Sequence, residues 1–105
     1  MSAAVTVGPC EAARRVAAIC RLPEAEAVHR RVAESVPHPP QADVLWLTWL
    51  QWRALGREAL SRETGLSAFV ITDRLRRLRD LGAPVLSSAE ERERLARGRF
   101  HGTWD

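Results

Sequence analysis

Residues 57–78 read REALSRETGLSAFVITDRLRRL, two amphipathic segments separated by a glycine. REALSRET spells a short helix, and Gly65 stops it by supplying the left-handed residue of a tight turn. Ser67 opens SAFVITDRLRRLRDL, where Val70, Ile71, Leu75, Leu78 and Leu81 recur at helical spacing and form an inward stripe. Gly82 and Pro84 close this second helix. A helical wheel puts Phe69, Thr72, Asp73 and Arg76 opposite the stripe, with Arg77 and Arg79 on its flanks. Arg74 falls near the stripe, where Glu58 or Glu63 is its expected partner.

Downstream, PVLSS at 84–88 is expected to form a short strand. Ser88 and Glu91 have capping-box spacing, so ERERLAR reads as a charged helix ending at Gly98. The stretch RFHGTW is the expected second strand, pairing with residues 85–87. Upstream, Asp43 is placed to cap DVLWLTWLQWRAL. In that helix Val44, Leu47, Leu50 and Ala54 form one face, Leu45, Trp49 and Trp52 the opposite one, and Trp46 lies on a flank. A helix apolar nearly all round must be covered on both sides, either as the central core helix or within a subunit interface. Pro37, Pro39 and Pro40 remove amide donors and restrict their predecessors, marking 37–42 as a linker. Before it lie two helices: one after Pro9, with Ala12, Ala13, Val16, Ile19 and Cys20 at helical spacing, and one after Pro23, with Ala25, Val28, Val32 and Val36 on one stripe. The organisation is a helical extension over 1–36, the linker, and a unit over 43–105, all in one compact body.

Composition narrows the function. The 105 residues are 46% hydrophobic and 28% charged, the profile of one globular domain. The formal charge is +3, and all 16 basic residues are Arg. With 16 Ala beside them, this resembles the usage of a GC-rich genome, so their number alone says little. Their placement says more: residues 1–52 carry five Arg and five acids, whereas 53–99 carry eleven Arg and seven acids. A basic second half suits a polyanion. No apolar run reaches the roughly 18 residues of a membrane span, and Met1 to Gly8 lacks the pattern of a secretory leader, so the expectation is a cytoplasmic protein without membrane contact. Cys10 and Cys20, on one helix, would stand about 15 Å apart and cannot pair with each other. His29, His38 and His101 show no zinc-site spacing, and no catalytic order or phosphate loop is present. Neither an enzyme nor a metal or other cofactor is expected.

Residues 43–88 resemble a helix-turn-helix of the winged type, similar to the DNA-binding domain of biotin-operon repressors. Leu60 and the small Ser61 face the second helix, Leu66 plugs the core, Ile71 and Leu75 anchor the second helix, and Leu78-Arg-Asp-Leu-Gly-Ala-Pro-Val85 looks like a recognition helix running into a first wing strand. Thr64 departs from the pattern, standing where the family usually has a larger aliphatic residue, and the charged run after residue 88 departs from a tight two-stranded wing.

The fold expected on this basis is mainly α, a winged helix-turn-helix core with two additional N-terminal helices and a small or atypical β wing. The resemblance implies a transcriptional regulator that binds double-stranded DNA with helix 67–81 in the major groove. Its candidate contacts are Ser67, Ala68, Phe69, Thr72, Asp73, Arg76, Arg77 and Arg79, with Arg97 and Arg99 reaching phosphates from the wing region. Arg76 can donate two hydrogen bonds to guanine, Phe69 or Ala68 can meet a thymine methyl, and Asp73 can accept from cytosine or hold Arg76 or Arg77. A homodimer through Trp46, Trp49 and Trp52 is expected. The competing class is a protein-interaction module that uses the same fold to bind a protein partner without DNA.

Overall fold

The computed structural model describes residues 9–97. The chain is mainly helical: α1 spans Pro9–Cys20, α2 Pro23–Ser35, α3 Pro39–Leu55, α4 Arg57–Thr64, α5 Ala68–Asp80 and α6 Ser88–Ala96. No strand occurs among the described residues. The expected strand at 84–88 is instead irregular chain running into α6, and its expected partner at 99–104 lies outside the described residues.

Proline starts helices here rather than separating them. Pro23 opens α2, and Pro39 and Pro40 occupy the first turn of α3, where a missing N–H costs no hydrogen bond. The expected linker 37–42 therefore shrinks to Val36–His38, and Asp43, expected to cap α3, lies inside it. The residue at the N-cap is His38, whose side chain makes no capping bond.

The α3 helix is the hub, packed against α1, α2, α4 and α5. Its indoles are fully wrapped or half-wrapped, and a buried indole N–H needs an acceptor. Trp46 donates to the carbonyl of Ala25 on α2 (3.1 Å) and lies against His29, with ring centroids 4.5 Å apart. Trp49 donates to the carbonyl of Pro84 (3.1 Å), and Trp52 to Oε1 of Glu91 on α6 (2.7 Å). Three successive turns of α3 thus tie down α2, the segment before α6, and α6. Arg53, also buried, donates through Nε to Glu24 on α2 (3.2 Å).

The turn between α4 and α5 is closed by its own side chains. Gly65 has φ +75°, and its N–H bonds to the carbonyl of Ser61. The Ser61 hydroxyl donates to the carbonyl of Leu66 (2.7 Å), and the Thr64 hydroxyl donates back to Leu60 (2.7 Å) while accepting the N–H of Leu66 (3.2 Å). Thr64 thus has a polar role in the turn. The Ser67 hydroxyl accepts from the N–H of Val70 and caps α5.

Beyond α5, Gly82 has φ +96°, and a Cβ there would meet the Arg31 guanidinium at 2.7 Å. The capping box of α6 is formed by Ser87 and Glu90, one residue earlier than the expected Ser88 and Glu91. The shift has a physical reason: Glu91 points inward and is the only buried residue of α6. Its carboxylate accepts from Trp52 Nε1, from the backbone N–H of Arg57 (2.7 Å) and from Arg57 Nε (3.0 Å).

Replacing Glu91 with Ala should cost about 3 kcal/mol, because it removes the carboxylate from the partly buried Arg57 and strands the buried indole N–H of Trp52; urea unfolding measures this, and Glu91→Gln should restore part of the loss. The Glu90 carboxyl is held below its ordinary value of 4.5 by the Ser87 backbone N–H, then by the Ser87 hydroxyl, with Arg79 and Arg94 adding to the effect. A lowered folded value means that Glu90 stabilises the α6 cap above the ordinary value and ceases to do so as pH falls through the lowered one. Amide exchange at the start of α6 should therefore accelerate on acidification below about 4.5 in the wild type, and be less pH-dependent in Glu90→Gln.

Candidate functional site

The α5 helix has one face fixed in the core and one face in solvent. Ile71, Leu75 and Leu78 are buried against α3 and α4. Side chains three and four positions apart share a helix face, so Phe69, Thr72, Asp73 and Arg76 form an outward strip. Phe69 is 81% exposed, which excludes a role in holding the fold together. Asp73, Arg76, Arg77 and Arg79 are exposed, and Thr72 is half-buried. Ala68 is exposed in the first turn, while the Ser67 hydroxyl is occupied by its capping bond.

Several arginines elsewhere on the surface are neutralised within their own helix. Arg14, Arg30, Arg62 and Arg97 each pair with a glutamate three or four residues before them. Among the described residues Arg76 and Arg77 have no ion pair or hydrogen bond, and Asp73 does not hold either of them, contrary to one expected role. Arg79 acts on Glu90 through its charge. Arg74 does not meet Glu58 or Glu63; its Nη1 reaches the Thr48 hydroxyl of α3 at 3.5 Å, because the α5 face that carries it lies on α3.

Not every expected contact residue joins this surface. Arg97 follows the end of α6, paired with Glu93 at 3.6 Å, and lies about 13 Å along the helix from Ser88. Arg99 lies outside the described residues. Conversely, residues that the sequence does not place at this surface stand next to α5: an open notch of about 180 Å³ is lined by Thr72, Arg76 and Arg79 of α5, by Ser87 and Ser88, and by Arg57 and Leu86. Only the irregular path of residues 83–87 brings the two serines there.

The tryptophans expected at a subunit interface are placed differently. Trp49 and Trp52 are 0% exposed within a single chain, and Trp46 is half-buried on α2, so a second copy cannot reach the first two without opening the core. The large apolar side chains that α3 leaves exposed are Val44 and Leu47. Among the described residues no group of His, Cys, Asp and Glu could hold a metal ion, and no helix is long and apolar enough to cross a membrane. No family model, curated protein or solved structure matches the chain, so the functional reading rests on this surface.

Two variants separate core from surface. Trp49→Asp should unfold the protein, since even truncating a buried tryptophan costs about 3–5 kcal/mol, and circular dichroism with light scattering should show lost helicity rather than a smaller folded species. Phe69→Ser should leave stability within about 0.5 kcal/mol of wild type.

Proposed function

We propose that the protein binds double-stranded DNA sequence-specifically, as a small transcriptional regulator, with α5 as the recognition helix. In this reading α4, the turn at 65–67 and α5 act as a helix-turn-helix braced by α3, and the segment 83–87 with α6 stands where a β wing is otherwise expected. The observation that carries the reading is the outward strip of α5, where Arg76 and Arg77 lack acidic partners beside an exposed Phe69 and a half-buried Thr72. An unpaired guanidinium can serve guanine or phosphate, whereas one neutralised by a neighbouring glutamate is less available. The excess of arginine in the second half of the chain agrees with a polyanionic partner.

A second reading, a protein-interaction module, is favoured by the same Phe69 and by Asp73. A bare aromatic ring suits an apolar pocket on a protein, and a carboxylate on the strip repels phosphates. The two readings differ in salt dependence. Contacts to phosphates release counterions, so duplex binding should weaken steeply as salt rises. Arg76→Ala should lose about 1–3 kcal/mol on a preferred sequence and less on random DNA. Titration into mixed-sequence duplex at low and physiological salt tests this directly; absence of binding at low salt rejects the DNA reading, and equal loss on all sequences makes Arg76 a phosphate contact.

A further inference from the structure

We propose that the notch between α5 and the start of α6 seats a backbone phosphate of the bound duplex, held by Arg79 and Ser88. This inference rests on the DNA reading and assigns to residues 87–88 a contact that the absent strand at 84–88 would otherwise be expected to make.

Position along the helix separates Arg79 from the base-reading residues. Ala68 begins α5, and Arg79 stands eleven residues later, about 16 Å along the axis. The major groove is about 12 Å wide. When the N-terminal part of α5 enters the groove, Arg79 falls at the rim, where the sugar-phosphate backbone runs. Phe69, Thr72 and Asp73 lie in the first two turns and face the interior.

The charges in the notch favour an anion. Arg76 and Arg79 contribute two guanidinium groups to its α5 wall. Arg57, which also lines the notch, is already committed to Glu91 and to the carbonyl of Leu86 (2.6 Å), so it adds little. The opposing charge is Glu90, which acts on Arg79, but its Oε1 accepts the Ser87 N–H at 2.8 Å within the capping box. Two cations against one engaged carboxylate leave the notch positive.

The hydroxyls divide in the same way. Ser87 Oγ accepts the N–H of Glu90 (3.2 Å), and its hydroxyl proton bears on the Glu90 carboxyl. Ser88 is exposed at the first position of α6, and its hydroxyl has no partner among the described residues. Its backbone N–H lies in the first turn, where amides have no acceptor within the helix. A phosphate oxygen in the notch can accept from Ser88 while another meets Arg79.

The test uses Arg79→Gln and Ser88→Asp in the full chain, with fluorescence anisotropy on a panel of short duplexes differing in sequence, over a range of salt. Each lost phosphate contact should lower the magnitude of the log–log salt slope by about 0.9. Arg79→Gln should show that decrease and weaken all duplexes to a similar extent. Ser88→Asp should weaken all duplexes by repulsion; its fold is expected to hold, because an acidic side chain in the first turn of a helix is favourable and the capping serine is Ser87. Thermal melting confirms that both variants are folded. An unchanged slope for Arg79→Gln, a loss confined to one sequence, or full affinity in Ser88→Asp overturns the phosphate assignment while leaving the DNA reading standing. A wild type that binds none of the duplexes overturns both.

Discussion

At the corner where α3 turns into α4, one buried carboxylate gathers three donors. Glu91 is 4% exposed on its side chain, and removing a carboxylate from water costs several kcal/mol unless its oxygens are satisfied. Here Trp52 Nε1, Arg57 N and Arg57 Nε satisfy them at 2.7, 2.7 and 3.0 Å. Such a cluster adds little net stability compared with well-packed hydrocarbon, but breaking it is costly. Its consequence is positional. The α6 helix has no other buried residue, so Glu91 fixes where that helix docks. Arg57 then holds the carbonyl of Leu86, and Trp49 holds that of Pro84, which sets the path of the irregular segment between them. The serines beside α5 owe their place to this chain of bonds.

The elements of the fold were legible where periodicity alone decides. Six segments repeat apolar residues at helical spacing or carry a capping signature, and all six form helices. Boundaries failed where one residue type has two uses. Proline breaks a helix interior yet fits its first turn, so Pro39 and Pro40 read as a linker while beginning α3. Ser87-Ser88 followed by Glu90-Glu91 offers two capping registers, and only the need of Trp52 for an acceptor 39 residues away selects between them. The aliphatic content of PVLSS suggested a strand, but Val85 and Leu86 pack on the core from irregular chain. The all-round apolar character of α3 showed that it must be covered, without showing by what; α1, α2, α4 and α5 supply that cover.

For the candidate site, the helical wheel of α5 separated its buried stripe from its outer strip, since both follow from spacing within one helix. Exposure of Phe69, Asp73, Arg76, Arg77 and Arg79 was readable for that reason. The partners of those residues were not. Ion pairing depends on side-chain reach and on neighbouring elements: Arg74 has four acids within its own helix or the preceding one, Glu58, Glu63, Asp73 and Asp80, yet meets Thr48. The notch was illegible altogether, because it joins α5 to residues 87–88 through tertiary bonds that no local pattern encodes.

The outer strip of α5 is also graded along its length. From Ser67 to Asp73 it offers small, aromatic and hydroxyl groups and a single carboxylate, with no cation; beyond Asp73 it carries the exposed Arg76, Arg77 and Arg79. The gradient suits the helix itself, since cations near a C-terminus interact favourably with the backbone dipole. It also orients any partner. A duplex lying across α5 experiences repulsion between its phosphates and Asp73, and attraction at the arginine end. Under the proposed reading, that gradient directs the first turns toward base edges and the last turn toward the backbone. In the same reading, the Asp73 carboxylate, which repels phosphates, acts against backbone-only docking at the reading end of the helix, and its cost in affinity is offset by the arginines further along α5.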